Sequence, residues 1–135
     1  LIMVNALQVA IYQRLANAPI SLSGVYDEPP QDVTGLFTVI GDDTFNEWDD
    51  DHKDGFEVTV TLYTYHTNTG QSQTVTGYKD LKIRMGAIYD ALHHYTLTVT
   101  GYNALQCVQE FSEVRRASDG TSRQGIQRFR ILIHK

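Results

Sequence analysis

Residues 56–65 alternate without a break: Phe56, Val58, Val60 and Leu62 fall on one side, Glu57, Thr59, Thr61 and Tyr63 on the other. A period of two over that length marks a strand with one buried face, because successive side chains of a strand point to opposite sides of the sheet. The rest of the chain must therefore be arranged around a sheet with a dry side and a wet side.

Further strands follow from the same reasoning. Residues 36–40 form a β-rich run between Gly35 and Gly41 and fit a buried strand. Leu97 and Val99 alternate with Thr96, Thr98 and Thr100, which predicts a short strand ending at Gly101. Residues 105–116 and 124–133 predict two longer strands joined through Asp119-Gly120, a strong hairpin signal. Alternation slips around Cys107 and Val108, which predicts a bulge or a pair buried on both faces.

Two stretches carry a helical period instead. Leu7, Ala10, Ile11 and Leu15 recur at helical spacing between Asn5 and Ala16, with Asn5 as the expected N-cap. Pro19 follows, and residues 21–32, with Ser23-Gly24 and Pro29-Pro30, read as a loop holding at most a very short extended piece at Val25-Tyr26. Tyr78, Leu81, Met85, Ile88 and Leu92 lie three and four apart and predict a second helix, capped by Ser72 or Thr74 and running to about His93. Gly77 and Gly86 each lower its propensity by about 1 kcal/mol relative to Ala, and Gly86 is expected to permit a close approach of helix to sheet.

The expected order is α-β-β-α-β-β-β in a single domain over residues 1–135. Such an order builds an α+β fold, a mostly antiparallel β-sheet with two α-helices packed on one face. The other face, with Thr59, Thr61, Tyr63 and Tyr65, is expected to meet water or a neighbouring subunit.

Composition excludes several classes of function. Hydrophobic residues at 41% and charged residues at 20% fit a folded globular chain and not a disordered one. No apolar run reaches the roughly eighteen residues of a membrane span, and Leu1-Ile2-Met3-Val4 lacks the basic flank of a signal peptide. The single cysteine, Cys107, lies in an alternating stretch where it behaves as a small buried hydrophobe. Together these lead us to expect a product made in a reducing cytoplasm.

The net charge of -5 is unevenly spread. Asp42, Asp43, Glu47, Asp49, Asp50, Asp51 and Asp54 crowd one stretch, whereas Arg115, Arg116, Arg123, Arg128, Arg130 and Lys135 gather near the C-terminus. A dedicated nucleic-acid binder would show a basic excess. Opposite patches instead suit self-association, and head-to-tail pairing of an acidic hairpin with a basic one is a physically plausible way to build a ring.

The acidic segment 42–54, with Trp48 in its middle and His52 near its end, is the one place that resembles a metal or catalytic site. A calcium loop of the EF-hand kind needs ligands at alternating positions, a central Gly and a terminal Glu, and that spacing is absent. We expect no metal site, no cofactor and no catalytic residues, and take the segment as a solvated or interface-forming connection between strands. His93-His94 falls where the second helix ends and complements its dipole. There is no Gly-x-Ser-x-Gly elbow and no phosphate-binding glycine loop. The residues expected at an interface are Asp42, Asp43, Glu47, Trp48, Asp49, Asp50 and Asp51 on the acidic side and Arg115, Arg116 and Arg123 on the basic side. A metal-dependent enzyme using Asp42, Asp43, Asp49 and His52 is the alternative of another class.

Four pieces in order carry a family resemblance. They are Leu7-Gln8-Val9-Ala10-Ile11-Tyr12, then Val25-Tyr26-Asp27-Glu28-Pro29-Pro30-Gln31-Asp32, then Val39-Ile40-Gly41-Asp42-Asp43 leading to Glu47-Trp48-Asp49, and last Gly125-Ile126-Gln127-Arg128-Phe129-Arg130. From about residue 7 to residue 133 the chain resembles the tailed-bacteriophage proteins called tail-completion, tail-terminator or head-to-tail joining proteins. The resemblance implies a non-enzymatic virion protein, assembled in the host cytoplasm into a homo-oligomeric ring, expected to be a hexamer, at the head-proximal end of the tail tube. Its implied partners are the tail tube protein and the head-tail connector or neck proteins, with genomic DNA only passing through the channel. A minor tail or neck component is the alternative within assembly.

Overall fold

A computed structural model of the chain describes residues 2–47, 55–67, 77–118 and 122–135. Its elements are α1 (Ile2–Ala16), β1 (Val25–Tyr26), β2 (Leu36–Glu47), β3 (Gly55–His66), α2 (Lys79–Leu92), β4 (Asn103–Arg116) and β5 (Arg123–His134). The strands form one sheet in the order β1-β2-β3-β5-β4, antiparallel throughout except for the parallel pair β1 and β2.

The period-two run of β3 sets the core. Val58, Val60 and Leu62 are buried, and their partners in β5, Ile131, Phe129 and Gln127, are buried beside them. Leu7, Ile11 and Leu15 of α1 and Ile88, Ala91 and Leu92 of α2 close over that same face in one cluster. Each large side chain so enclosed contributes about 1.5–3 kcal/mol. This is the expected α+β arrangement, with both helices on one face.

The order of elements differs from the expectation: it is α-β-β-β-α-β-β. Leu97 and Val99 are buried and Thr96, Thr98 and Thr100 exposed, as their alternation foretold. No ladder forms there, however. The β4 edge is already engaged at Cys107 and Gln109, where the His94 N–H donates to the Cys107 carbonyl (2.7 Å) and the Gln109 N–H donates to His93 Nδ1 (3.1 Å). His93 is thus a hydrogen-bond acceptor closing a strand edge, a role the helix-dipole reading missed. In exchange, Val25-Tyr26 pairs with Thr38 and Val39 as a true strand.

Helix boundaries shift for local reasons. Asn5 lies inside α1 as an exposed residue, because Met3 joins the core and extends the apolar stripe toward the N-terminus. The second helix begins only at Lys79, with Tyr78 at the cap position and no side-chain cap. The expected caps Ser72 and Thr74 lie outside the described residues. Gly86 is exposed with open space around it, so it does not permit the close approach. That approach occurs at Gly125 of β5, where a Cβ would press on the Met85 thioether.

Candidate functional site

The structure extends the second main strand well past Ile40, through half of the acidic segment to Glu47. A bulge makes this possible. Register shifts between Gly41 and Asp43, and Asp42 takes a positive φ of 53°, a conformation short polar residues tolerate better than most. Beyond it Thr44, Phe45, Asn46 and Glu47 pair in turn with Thr59, Val58, Glu57 and Phe56.

At the bulge the two aspartates diverge. The Tyr63 hydroxyl donates to the Asp42 carboxylate, and this bond, with burial and the Asp42 charge, pushes the Tyr63 pKa up to about 12. Asp43 is half-buried, and its Oδ1 has no hydrogen-bond partner among the described residues. Burial first, then the charges of Asp42 and Asp27, raise its carboxyl above the ordinary Asp value. Both aspartates, with Thr44, Thr59, Thr61, Glu110 and Arg128, line an open depression of about 490 Å³. Arg128 Nε donates to Glu110 Oε1 across it at 2.9 Å. Among the described residues no three His, Cys, Asp or Glu side chains group as a metal site requires.

Arg115, Arg116 and Arg123 sit at the other end of the sheet, whereas Arg128 and Arg130 lie alongside the acidic stretch, Arg130 3.7 Å from Glu57. Arg115 donates to Gln124 Oε1 (3.1 Å), Arg116 is exposed, and Arg123 lies buried with its guanidinium 5.2 Å from the Tyr78 ring. Glu47 pairs with Phe56 near the start of β3, whereas Arg123 pairs with His66 at its end. Ten steps of about 3.4 Å separate Phe56 from His66, so roughly 34 Å lies between the rows of Glu47 and Arg123. Within one chain Glu47 and Arg123 are therefore kept apart. Trp48, Asp49, Asp50 and Asp51 lie outside the described residues, as do His52 and the Asp119-Gly120 turn.

The remaining polar surface is the sheet face that carries no helix. Thr59, Tyr63 and Tyr65 of β3 and Arg128 and Arg130 of β5 lie on it, with Phe37 stacked on Tyr65 at 5.3 Å between ring centres. Sequence reasoning found this face and both charged groups. It missed Phe45 and the latch at His93-His94, although the Thr44-Phe45-Asn46 pattern continues the alternation of a strand.

One mostly antiparallel sheet with both helices on one face and a polar opposite face defines a small α+β protein. Residues 9–134 match the family described as tail completion protein gp17, and the chain belongs to that family. A structural role in the virion tail comes with that membership. No curated protein matches the chain. Among solved structures it is similar to a chain of the virion of a native gene transfer agent particle, with a TM-score of 0.83 and 22% identity over 98% of each chain. At that identity the likeness speaks to the fold.

Proposed function

We propose that the chain forms a homo-oligomeric ring, a hexamer, at the head-proximal end of the tail tube, where it ends tube polymerisation and joins tail to head. The observation that carries this reading is the separation of acidic Glu47 from basic Arg123 to opposite ends of β3. Acidic and basic groups set apart on one chain can meet on neighbouring copies, and a heterologous contact of that kind generates a ring when its rotation closes. Asp42, Asp43, Glu47, Trp48, Asp49, Asp50 and Asp51 on one copy and Arg115, Arg116 and Arg123 on the next are the residues we assign to this contact. Charge of this sort sets register and partner choice more than affinity.

The ring presents one face to the last ring of tail tube protein and a different face to the neck proteins. Its role is structural and requires no cofactor. Deleting the gene is expected to leave filled heads and separate tails, or overlong tubes, in electron micrographs. Normal virions made without the protein would sink the proposal. Rings of the wild-type chain located within the neck, off the end of the tube, would favour the neck component instead.

A further inference from the structure

We infer that neighbouring copies join by strand addition, the β2 edge at 42–47 of one copy pairing antiparallel with the β4 edge at 110–116 of the next, with Phe45 opposite Val114 and Asp43 opposite Arg116. This rests on the ring reading and names the surface through which the ring closes.

The two edges are what the sheet leaves open. β1 takes only Thr38 and Val39 of β2, so beyond them the outer edge of β2 has no strand partner among the described residues. On the opposite side, the latch at His93-His94 occupies β4 at Cys107 and Gln109. A bulge at Glu110 then turns the strand into a second stretch with no strand partner on its outer side among the described residues. Bare backbone donors and acceptors of this kind are templates for another strand.

Direction, side-chain order and charge all agree with the pairing. β2 and β4 run in opposite directions within the sheet, so a rotation from one copy to the next sets them antiparallel. On the helix-bearing side β2 presents Asp43, Phe45 and Glu47, and β4 presents Arg116, Val114 and Ser112. Placing Phe45 against Val114 sets Asp43 against Arg116 and Glu47 against Ser112. Phe45 is 44% exposed, an apolar side chain only partly covered by the Phe56 ring 6.5 Å away. Asp43 has one carboxylate oxygen removed from water with no donor, and a guanidinium beside it offsets that cost.

The geometry also closes. Phe45 lies in the same row as Val58 and Ile131, whereas Val114 lies in the row of Gly125. From Ile131 to Gly125 along β5 is about 20 Å, and four strand spacings of about 4.8 Å make up one copy's width. The strands then incline by about 45° to the ring axis, near the 35–45° tilt that closed sheets adopt.

The test uses the full chain in the particle, with Cys107→Ser as background so that no other thiol is present. Phe45→Cys and Val114→Cys together, after mild oxidation, are expected to give a ladder of disulfide-linked multiples of the 15.3 kDa chain, since directly opposed Cβ atoms come close to disulfide range. Each cysteine alone should give no ladder. A ring visible by electron microscopy in the same particles without any cross-link overturns the inference and leaves the ring reading standing. A folded variant that never forms rings, in company with a wild-type chain that also forms none, removes both. Charge exchange supplies a second measurement: Asp43→Arg and Arg116→Asp should each lower the yield of joined particles at least tenfold, and the double exchange should recover most of it. No recovery would likewise overturn the pairing.

Discussion

Asp43 is built at a cost to the single chain. Because burial and the neighbouring acids raise its carboxyl, folding favours the protonated acid. That contribution is fully present below the ordinary Asp value and is lost as pH rises through the raised one. Asp43→Asn is therefore expected to raise the urea midpoint of the isolated subunit at pH 7, with the gain vanishing toward acid, while weakening the joined ring. The opposite cation, Arg84, is nearly inaccessible, and burial lowers its pKa from the usual value. Its Nε donates to Thr38 Oγ1 (2.8 Å) and its Nη2 to the carbonyls of Ser23 (2.6 Å) and Gly24 (3.1 Å), so one side chain of α2 pins both β2 and the approach to β1. Arg84→Ala should cost about 2–4 kcal/mol in denaturant unfolding, and Arg84→Lys should recover little, since an ammonium cannot reproduce the planar fork. Cys107, with its thiol pushed up to about 12 by burial, behaves as the core hydrophobe its pattern foretold.

Among the elements, those whose signal is the burial of side chains were legible in sequence. β3 and β5 alternate cleanly, and α1 and α2 carry stripes that the structure buries, so the sheet with both helices on one face could be read in advance. What escaped depended on backbone geometry. Asp42 bends β2 at a bulge, and its acidic neighbours have weak strand propensity, so the run to Glu47 looked like a connection. The stretch around Leu97 and Val99 alternates as a strand does, yet the turn at His93-His94 already holds β4 at Cys107 and Gln109. Two bulges, near Leu105 and Glu110, account for the slip seen around Cys107. The glycine that matters for helix approach was also misjudged: Gly125 faces Met85, whereas Gly86 faces open space. Gly125→Val is expected to push α2 off the sheet and cost about 1–3 kcal/mol, measured by thermal unfolding. Gly86→Ala should be neutral or slightly stabilising.

For the whole molecule, the fold and the family agree while little sequence is shared with the gene transfer agent chain. At 22% identity over 98% of both chains, with a TM-score of 0.83, the common element is the fold. Of the candidate site, the sequence disclosed the charges but not their geometry: the separation of Glu47 from Arg123 along β3 is a property of register, which pairing partners determine. The deletion phenotype belongs to this scale, because the proposed joining of head to tail is a property of the proposed ring and not of any single residue. Salt should matter to its assembly as well, since the exposed charges are screened within about 10 Å at 0.1 M.

His93 and His94 also bear on how the chain keeps before it is used. A sheet bare along both rims would add copies of itself indefinitely and end as fibre. A turn fastened across one rim by the His93 imidazole and the His94 N–H shortens the length left bare. Two hydrogen bonds to one turn thus decide how much of that rim stays bare.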